Sequence, residues 1–111
     1  MTVKELAAAC GFDTACGEGD REITGGVYCC DLLSIVMGRA PADCAWVTVM
    51  GNLNSIAVAV LADTACIVLA EGMALDDDAR AKSQQQDVTV LTTPLPVYEA
   101  SVAIAKAIGA L

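Results

Sequence analysis

The side chains best suited to bind a ligand are densest in residues 20–33. This segment opens with Asp20-Arg21, continues through Thr24-Gly25-Gly26 and ends with an acid, Asp31, ahead of an apolar run. Adjacent glycines let a backbone turn sharply or let another group approach it closely. Arg21 has two interpretations, because its cation can pair with a nearby acid or bind a ligand anion. If the chain has a special site, this segment is the first candidate for it.

Catalysis is the first chemistry to test. The sequence contains no histidine, which removes Ser-His, Cys-His and histidine-based acid–base arrangements. It has no Gly-x-x-x-x-Gly-Lys-Ser/Thr loop, and Thr24-Gly25-Gly26 lacks the lysine of a phosphate loop. A carboxylate pair such as Asp20 with Asp31 could support chemistry, but acids at loop ends are usually helix caps. We therefore expect that the protein is not an enzyme and has no catalytic residue.

The six cysteines raise the question of a metal or redox site. They form no Cys-x-x-Cys pair, and their spacing matches no zinc or iron–sulfur pattern. Cys29 and Cys30 would point to opposite faces of a strand, and Cys66 lies in an apolar strand as a small core residue. We interpret the cysteines as reduced thiols and expect no metal and no cofactor. A redox or iron–sulfur partner protein is the alternative.

Length, composition and charge limit the remaining classes of fold and partner. With 111 residues the chain forms a single domain, residues 1–111. Hydrophobic residues make up 56% but aromatic residues only 4%, which favours a buried parallel sheet of small aliphatic side chains and an apolar surface shared by a homodimer. A net charge of −8 disfavours nucleic acid and anionic membrane surfaces. No leader or membrane span is evident, so we expect a cytoplasmic protein.

The pattern of strands and helices predicts how these residues are positioned. Strands are expected at Ala45–Met50, Ala65–Ala70 and Asp87–Leu91, each followed by a helix. Thr2 and Glu5 form a capping box for a first helix that ends at Gly11. Residues 10–19 are expected to be a connector, and residues 21–28 a strand broken at the glycines. Asp31 is expected to cap a helix that ends at Gly38. The fold class is thus α/β, a single three-layer domain with a mainly parallel sheet of four to five strands.

Parallel sheets bind ligands beyond the carboxyl ends of their strands, near helix N-termini. The loops expected there contain Asn52, Asn54, Thr92 and Thr93. Together with Gly25-Gly26 they are candidates for one polar rim that holds a small anionic ligand such as a nucleotide. The alternative is that Asn54 or Ser55 and Thr93 are ordinary caps and the glycines ordinary turns.

An ordered set of short motifs resembles the DRTGG domain family. The set covers essentially the whole chain and comprises Asp20-Arg21, Thr24-Gly25-Gly26, Asp31-Leu32-Leu33-Ser34, Val36-Met37-Gly38, Trp46-Val47-Thr48-Val49, Asn54-Ser55-Ile56-Ala57-Val58-Ala59, Ile67-Val68-Leu69, Leu91-Thr92-Thr93-Pro94 and Tyr98-Glu99. Family members often carry His-Pro before the asparagine-led helix, where this chain has Asn52-Leu53. A role of that histidine does not transfer to this chain.

The resemblance implies a fold similar to the N-terminal domain of HPr kinase/phosphorylase. Domains of this type accompany some phosphotransacetylases and, beside CBS domains, some inorganic pyrophosphatases. This chain looks like the stand-alone copies encoded near iron-only hydrogenase genes in anaerobes. In all these settings the domain is associated with regulation and self-association rather than catalysis. The resemblance therefore implies a regulatory or sensor module, with a protein partner and a link to anaerobic energy metabolism.

Overall fold

A computed structural model describes all residues, 1–111, as one three-layer α/β domain. Five strands form one sheet in the order β1-β5-β4-β3-β2, in which β1 is antiparallel to β5 and the other neighbours are parallel. The elements are α1 (Val3–Cys10), β1 (Asp13–Cys16), β2 (Val27–Cys29), α2 (Leu33–Arg39), β3 (Ala45–Thr48), α3 (Leu53–Ala62), β4 (Cys66–Leu69), α4 (Asp77–Gln85), β5 (Val90–Thr92) and α5 (Val97–Ala107). The predicted fold class is confirmed.

Alternation along the central strands separates two apolar cores. Trp46, Ile67, Leu69 and Val90 belong to the core that α2, α3 and α4 cover. Sheet residues between them belong to the core under α1 and α5, among them Ala45, Val47, Cys66, Val68 and Leu91. Every residue of β3 and β4 is buried. This two-sided burial explains why both strands read as unbroken apolar runs.

The first helix follows the sequence prediction closely. The Thr2 hydroxyl accepts from the Glu5 amide, the Glu5 carboxylate accepts from the Thr2 amide, and Gly11 follows the helix in the left-handed conformation. None of the five helices has the length and hydropathy that a bilayer span requires.

Residues 10–28 differ from the prediction. The supposed connector contains β1, a four-residue strand whose pairing with β5 is irregular between Thr14 and Cys16. The expected strand over residues 21–28 is wrong except for β2. In the first half of that segment the backbone amides do not pair with a neighbouring strand, because those of Thr24 and Gly25 both donate to the Asp43 carbonyl. Tertiary pairing, which local pattern does not encode, decides both segments.

The second helix also corrects the prediction. It begins at Leu33 without a side-chain cap, so Asp31 does not cap it. Gly38 lies inside the helix, which ends at Arg39 shortly before Pro41. A single glycine lowers helix stability by only about 1 kcal/mol relative to alanine, so packing can carry the helix past it.

Candidate ligand-binding groove

The predicted ligand residues lie at two opposite edges of the sheet. Residues that precede β2 lie at the amino edge, where the parallel strands begin. Residues that end or follow β2, β3 or β5 lie at the carboxyl edge, where the parallel strands end. Asp20, Arg21, Thr24, Gly25 and Gly26 are at the amino edge; Asp31, Asn52, Asn54, Thr92 and Thr93 are at or near the carboxyl edge. The expected single rim is therefore wrong, because the length of the strands separates its two halves.

At the carboxyl edge, Asp31 fastens the end of β2 to the end of β3. Its Oδ1 accepts from the buried Thr48 hydroxyl at 2.7 Å and from the Val49 amide at 3.1 Å. The carboxylate thereby accepts hydrogen bonds from two donors that have no acceptor within the sheet. Its contacts indicate a structural role.

Three helix N-termini at the carboxyl edge, those of α3, α4 and α5, are already supplied with acceptors, whereas α2 begins without a side-chain cap. Asn52, rather than Asn54 or Ser55, caps α3 through its side-chain oxygen, and Asn54 lies exposed in the first turn. Glu71 accepts from the Val97 amide at the start of α5 at 2.9 Å, and α4 carries its own aspartates. Carboxylates at these positions repel an incoming anion. The starts of α3, α4 and α5 therefore offer little to an anionic ligand.

Two of the predicted residues at this edge serve the backbone. Thr92 is a β5 residue between β4 and β1, paired with Leu69 and Asp13. The Thr93 amide donates to the Leu69 carbonyl, and its hydroxyl accepts from the Leu95 amide rather than capping a helix.

At the amino edge, the glycine pair holds the loop before β3. A Cβ on Gly25 would lie 2.1 Å from the Ala42 carbonyl oxygen, so only glycine fits there without movement. Gly26 has a φ of +79°, and its carbonyl accepts from the Ala45 amide. The pair thus starts β2 in register with β3 and makes the close approach that adjacent glycines permit.

Arg21 joins the loops that precede β3 and β4. Its Nε donates to Asp43 at 2.8 Å, and its Nη2 donates to both the Asp63 carboxylate at 2.7 Å and the Asp63 carbonyl at 2.8 Å. None of these bonds uses Nη1. Partial burial alone would lower the pKa of Arg21, but its hydrogen bonds to Asp63 and Asp43 and their charges raise it. The guanidinium therefore stays charged with one edge still free to donate.

Beside Arg21 a polar groove of about 560 Å³ opens along the amino edge. Its walls come from the segment after β1, the residue before β4, the last turn of α4 and the stretch between α4 and β5. The lining residues are Gly17, Glu18, Gly19, Asp20, Arg21, Ala65, Ser83, Gln84, Asp87 and Thr89. The volume falls within the range of small-molecule sites, about 300–1,000 Å³. We call this surface the amino-edge groove.

Glycines and hydroxyl groups shape the groove. A Cβ on Gly17 would lie 2.4 Å from the Thr89 hydroxyl oxygen, and that oxygen accepts from the Gly19 amide at 3.2 Å. Ser83 is buried and donates to the Ala79 carbonyl at 2.8 Å. The segment after β1 is thereby held close to β5, which fixes one wall.

Charge is distributed unevenly along the amino-edge groove. Glu18 and Asp87, near β1 and β5, take part in no salt bridge. Asp20 pairs with Lys4 at 2.8 Å, and Arg21 pairs with two acids. The groove therefore offers free carboxylates at its β1–β5 end and a largely neutralised cation at the other. This arrangement suits hydroxyl or amine donors better than several phosphate groups.

The six cysteines do not come together in a common site. No cluster of three or more histidine, cysteine or acidic side chains is placed to hold a metal ion. Burial raises the pKa of Cys66 to about 12 and that of Cys44 to about 11, so both thiols stay protonated at neutral pH. Cys29 is exposed, and its Sγ lies 2.9 Å from the Ser101 hydroxyl oxygen on α5, whereas Cys30 packs against the other core.

Of the ten residues that line the amino-edge groove, sequence reasoning proposed only Asp20 and Arg21 as ligand residues. Ser83, Gln84, Asp87 and Thr89 were assigned only to a helix and a strand, and Gly17 and Gly19 to a connector. The available signal was the Gly17-Glu18-Gly19 triplet immediately before Asp20-Arg21. Two glycines that close together indicate a second tight backbone approach.

Comparison with known proteins finds similarity at the level of structure. No protein-family model matches the chain, and no curated protein matches its sequence significantly. The fold resembles the CBS and DRTGG domains of the regulatory region of Clostridium perfringens pyrophosphatase, a structure complexed with the activator diadenosine tetraphosphate, with a TM-score of 0.78 and 11% identity. The match covers 96% of this chain and 46% of that structure. The chain thus has a DRTGG/CBS-type α/β fold.

Proposed function

We propose that this chain is a regulatory module of the DRTGG family and that its ligand binds in the amino-edge groove. One observation carries the proposal: Asp20 and Arg21, which open the set of motifs that resembles the family, line a polar groove of ligand size. The DRTGG/CBS-type fold, and the nucleotide activator bound by the pyrophosphatase regulatory region, support the same view. The module is non-catalytic in this proposal and acts by changing what it binds.

The proposed ligand is an adenine nucleotide with few phosphates. Glu18 and Asp87 can accept hydrogen bonds from ribose hydroxyls or an exocyclic amine, as carboxylates commonly do in nucleotide sites. Nη1 of Arg21 can donate to one phosphate or to a base acceptor. Because the neighbouring charge is negative, a polyphosphate would need a divalent counter-ion to bind.

Binding to a graded series of adenine ligands tests this proposal. Thermal shift and titration calorimetry should detect adenosine monophosphate, and should detect adenosine triphosphate or diadenosine tetraphosphate only with Mg²⁺. Asp87→Asn keeps a residue type that tolerates its φ of +56°, and should weaken adenosine monophosphate binding about tenfold, as expected for a lost charged hydrogen bond. Glu99→Gln, an exposed acid on α5, is the matched control and should change nothing. Failure of every adenine ligand to bind would refute the nucleotide proposal.

Participation in anaerobic energy metabolism is supported by the resemblance alone. A hydrogenase-associated module would co-purify with hydrogenase components from an anaerobic host. Co-purification that survives replacement of the exposed Cys29 would point to a regulatory contact, and loss on that replacement would favour the redox alternative.

A further inference from the structure

The outer face of α3 is an apolar surface without charge. Leu53, Ala57, Val60 and Leu61 are exposed and follow one another at helical spacing, and Leu61 is 70% exposed. The helix contains no charged residue in its ten positions. In a chain with a net charge of −8, an uncharged helix face is where another acidic surface can approach with least repulsion.

Exposed apolar side chains concentrate around this helix. Of the ten large hydrophobic residues that are exposed, six lie on α2, its N-cap or α3: Leu32, Ile35, Met37, Leu53, Val60 and Leu61. Helix α2 packs against one side of α3 and α4 against the other. A contiguous apolar surface of this kind marks a contact site in soluble proteins.

The surrounding layer is polarised in charge along its helices. Helices α2, α3 and α4 each connect adjacent parallel strands, so all three begin at the carboxyl edge and end at the amino edge. Asp76, Asp77 and Asp78 lie at the beginning of α4, whereas Lys82 and Arg39 lie in the last turns of α4 and α2. Lys82 and Arg39 are in no salt bridge, and Lys82 borders a shallow hollow with Ala57, Val60 and Leu61.

We propose that this face binds a second copy of the chain in a two-fold symmetric, antiparallel contact centred on α3. A two-fold axis that lies in the contact and runs across the helices places α4 antiparallel over α4 of the partner. Each acidic helix start then faces the partner's Lys82, and each Leu61, near the end of α3, faces the apolar start of the partner's α3 around Leu53. Self-complementary pairing of this kind is the usual form of a homodimer contact.

The last helix is not equivalent as a contact surface. Its Ala100 is fully buried against the sheet, and Ala103 and Ala107 are half-buried. Helix α5 exposes one large apolar residue, Tyr98. The α3 face is independent of the amino-edge groove, so the two proposals can fail separately.

Sedimentation of single variants tests the surface. The wild-type chain should be in monomer–dimer equilibrium at micromolar concentration. Leu61→Glu should weaken the dimer at least tenfold, because it places a charge in an apolar contact, and should retain the wild-type circular dichroism because the side chain is exposed. Tyr98→Glu, at 75% exposure on α5, is the matched control and should leave the dimer unchanged. A wild-type monomer throughout, or equal effects of the two substitutions, would overturn the proposal.

A charge exchange tests the orientation. Lys82→Asp and Asp77→Lys should each weaken the dimer, because each places like charges opposite one another. The double variant should recover most of the affinity, since it exchanges the two ends. Sedimentation of the four proteins at low salt provides the comparison. Additive weakening in the double variant would overturn the antiparallel arrangement.

Discussion

Nη2 of Arg21 binds Asp63 twice, at the carboxylate and at the backbone carbonyl, with distances of 2.7 and 2.8 Å. Asp63 follows α3 in the left-handed conformation, and its carbonyl also accepts from the Asp43 amide. One guanidinium thus connects the end of α3, the loop before β3 and the segment after β1. Arg21 is a structural residue of the amino edge that also lines the groove, and none of its hydrogen bonds uses Nη1.

Replacing Arg21 should lower stability moderately. Arg21→Ala removes two ion pairs and a charged hydrogen bond to a carbonyl, but the side chain is 40% exposed and solvent screens these charges. We expect a loss of about 1–2 kcal/mol in the free energy of unfolding by urea. Lys106→Ala, an exposed cation without a salt bridge, should cost much less. Equal losses would mean that the Asp43 and Asp63 contacts contribute nothing.

Alanine should change stability in opposite directions at two glycines, Gly25 in a loop and Gly38 in a helix. Gly25→Ala would force its Cβ against the Ala42 carbonyl oxygen, and we expect a loss of about 1–3 kcal/mol from overpacking. Gly38 lies inside α2 with open space around its Cβ position, so Gly38→Ala should gain about 0.5–1 kcal/mol from helix propensity. Thermal unfolding of both variants measures the difference. Stabilisation by Gly25→Ala would contradict the close contact with Ala42.

Removal of the Asp31 carboxylate should weaken the carboxyl edge. Asp31→Ala deprives the buried Thr48 hydroxyl and the Val49 amide of their acceptor, at a cost of about 1–3 kcal/mol. Asp31→Asn keeps one acceptor oxygen and should recover part of that loss. If Asp31 merely capped α2, the two variants would instead alter helix content, which circular dichroism would reveal.

Buried thiols should make the domain sensitive to alkali. Burial raises the pKa of Cys66 from 9.0 to about 12, so an unfolded chain loses this proton at lower pH than the folded one. The contribution is complete below pH 9 and is lost as the pH rises from there towards 12. Cys66→Ala should flatten the fall in stability over that interval. Urea unfolding at neutral pH and at pH 10.5, which is on the order of one pKa unit above the unfolded thiol, measures this fall. If the free energy of unfolding falls as steeply with pH in Cys66→Ala as in the wild type, Cys66 is not a protonated buried thiol.

The parts of the fold that could be predicted are those that a local sequence pattern indicates. Apolar runs gave β3 and β4, and the Thr2–Glu5 capping box gave α1, because burial on both faces and capping leave direct marks in the sequence. β1 could not be found in this way, since four mixed residues become a strand only through pairing with β5. The roles of Asp31 and Arg21 likewise depend on partners 17 or more residues away.

The candidate site was predicted less completely than the fold. Residues 20–33 were singled out as the first candidate site, and Gly25 does make a close approach, but Gly25-Gly26 were joined to loops that lie at the other edge of the sheet. Chain order alone distinguishes the edges, because the segment before a parallel strand and the segment after it lie at opposite edges. The Ser83–Thr89 wall carries no motif and becomes visible only when α4 and β5 are placed beside the Gly17–Arg21 segment.

Amide chemical-shift mapping with adenosine monophosphate tests the central claim most directly. Titration of the isotope-labelled chain should shift the amides of Gly17–Arg21 and Ser83–Thr89, while the amides of Asn52, Asn54 and Thr93 stay unchanged. Shifts confined to the carboxyl edge, or no saturable shift at millimolar nucleotide, would contradict a ligand site in the amino-edge groove.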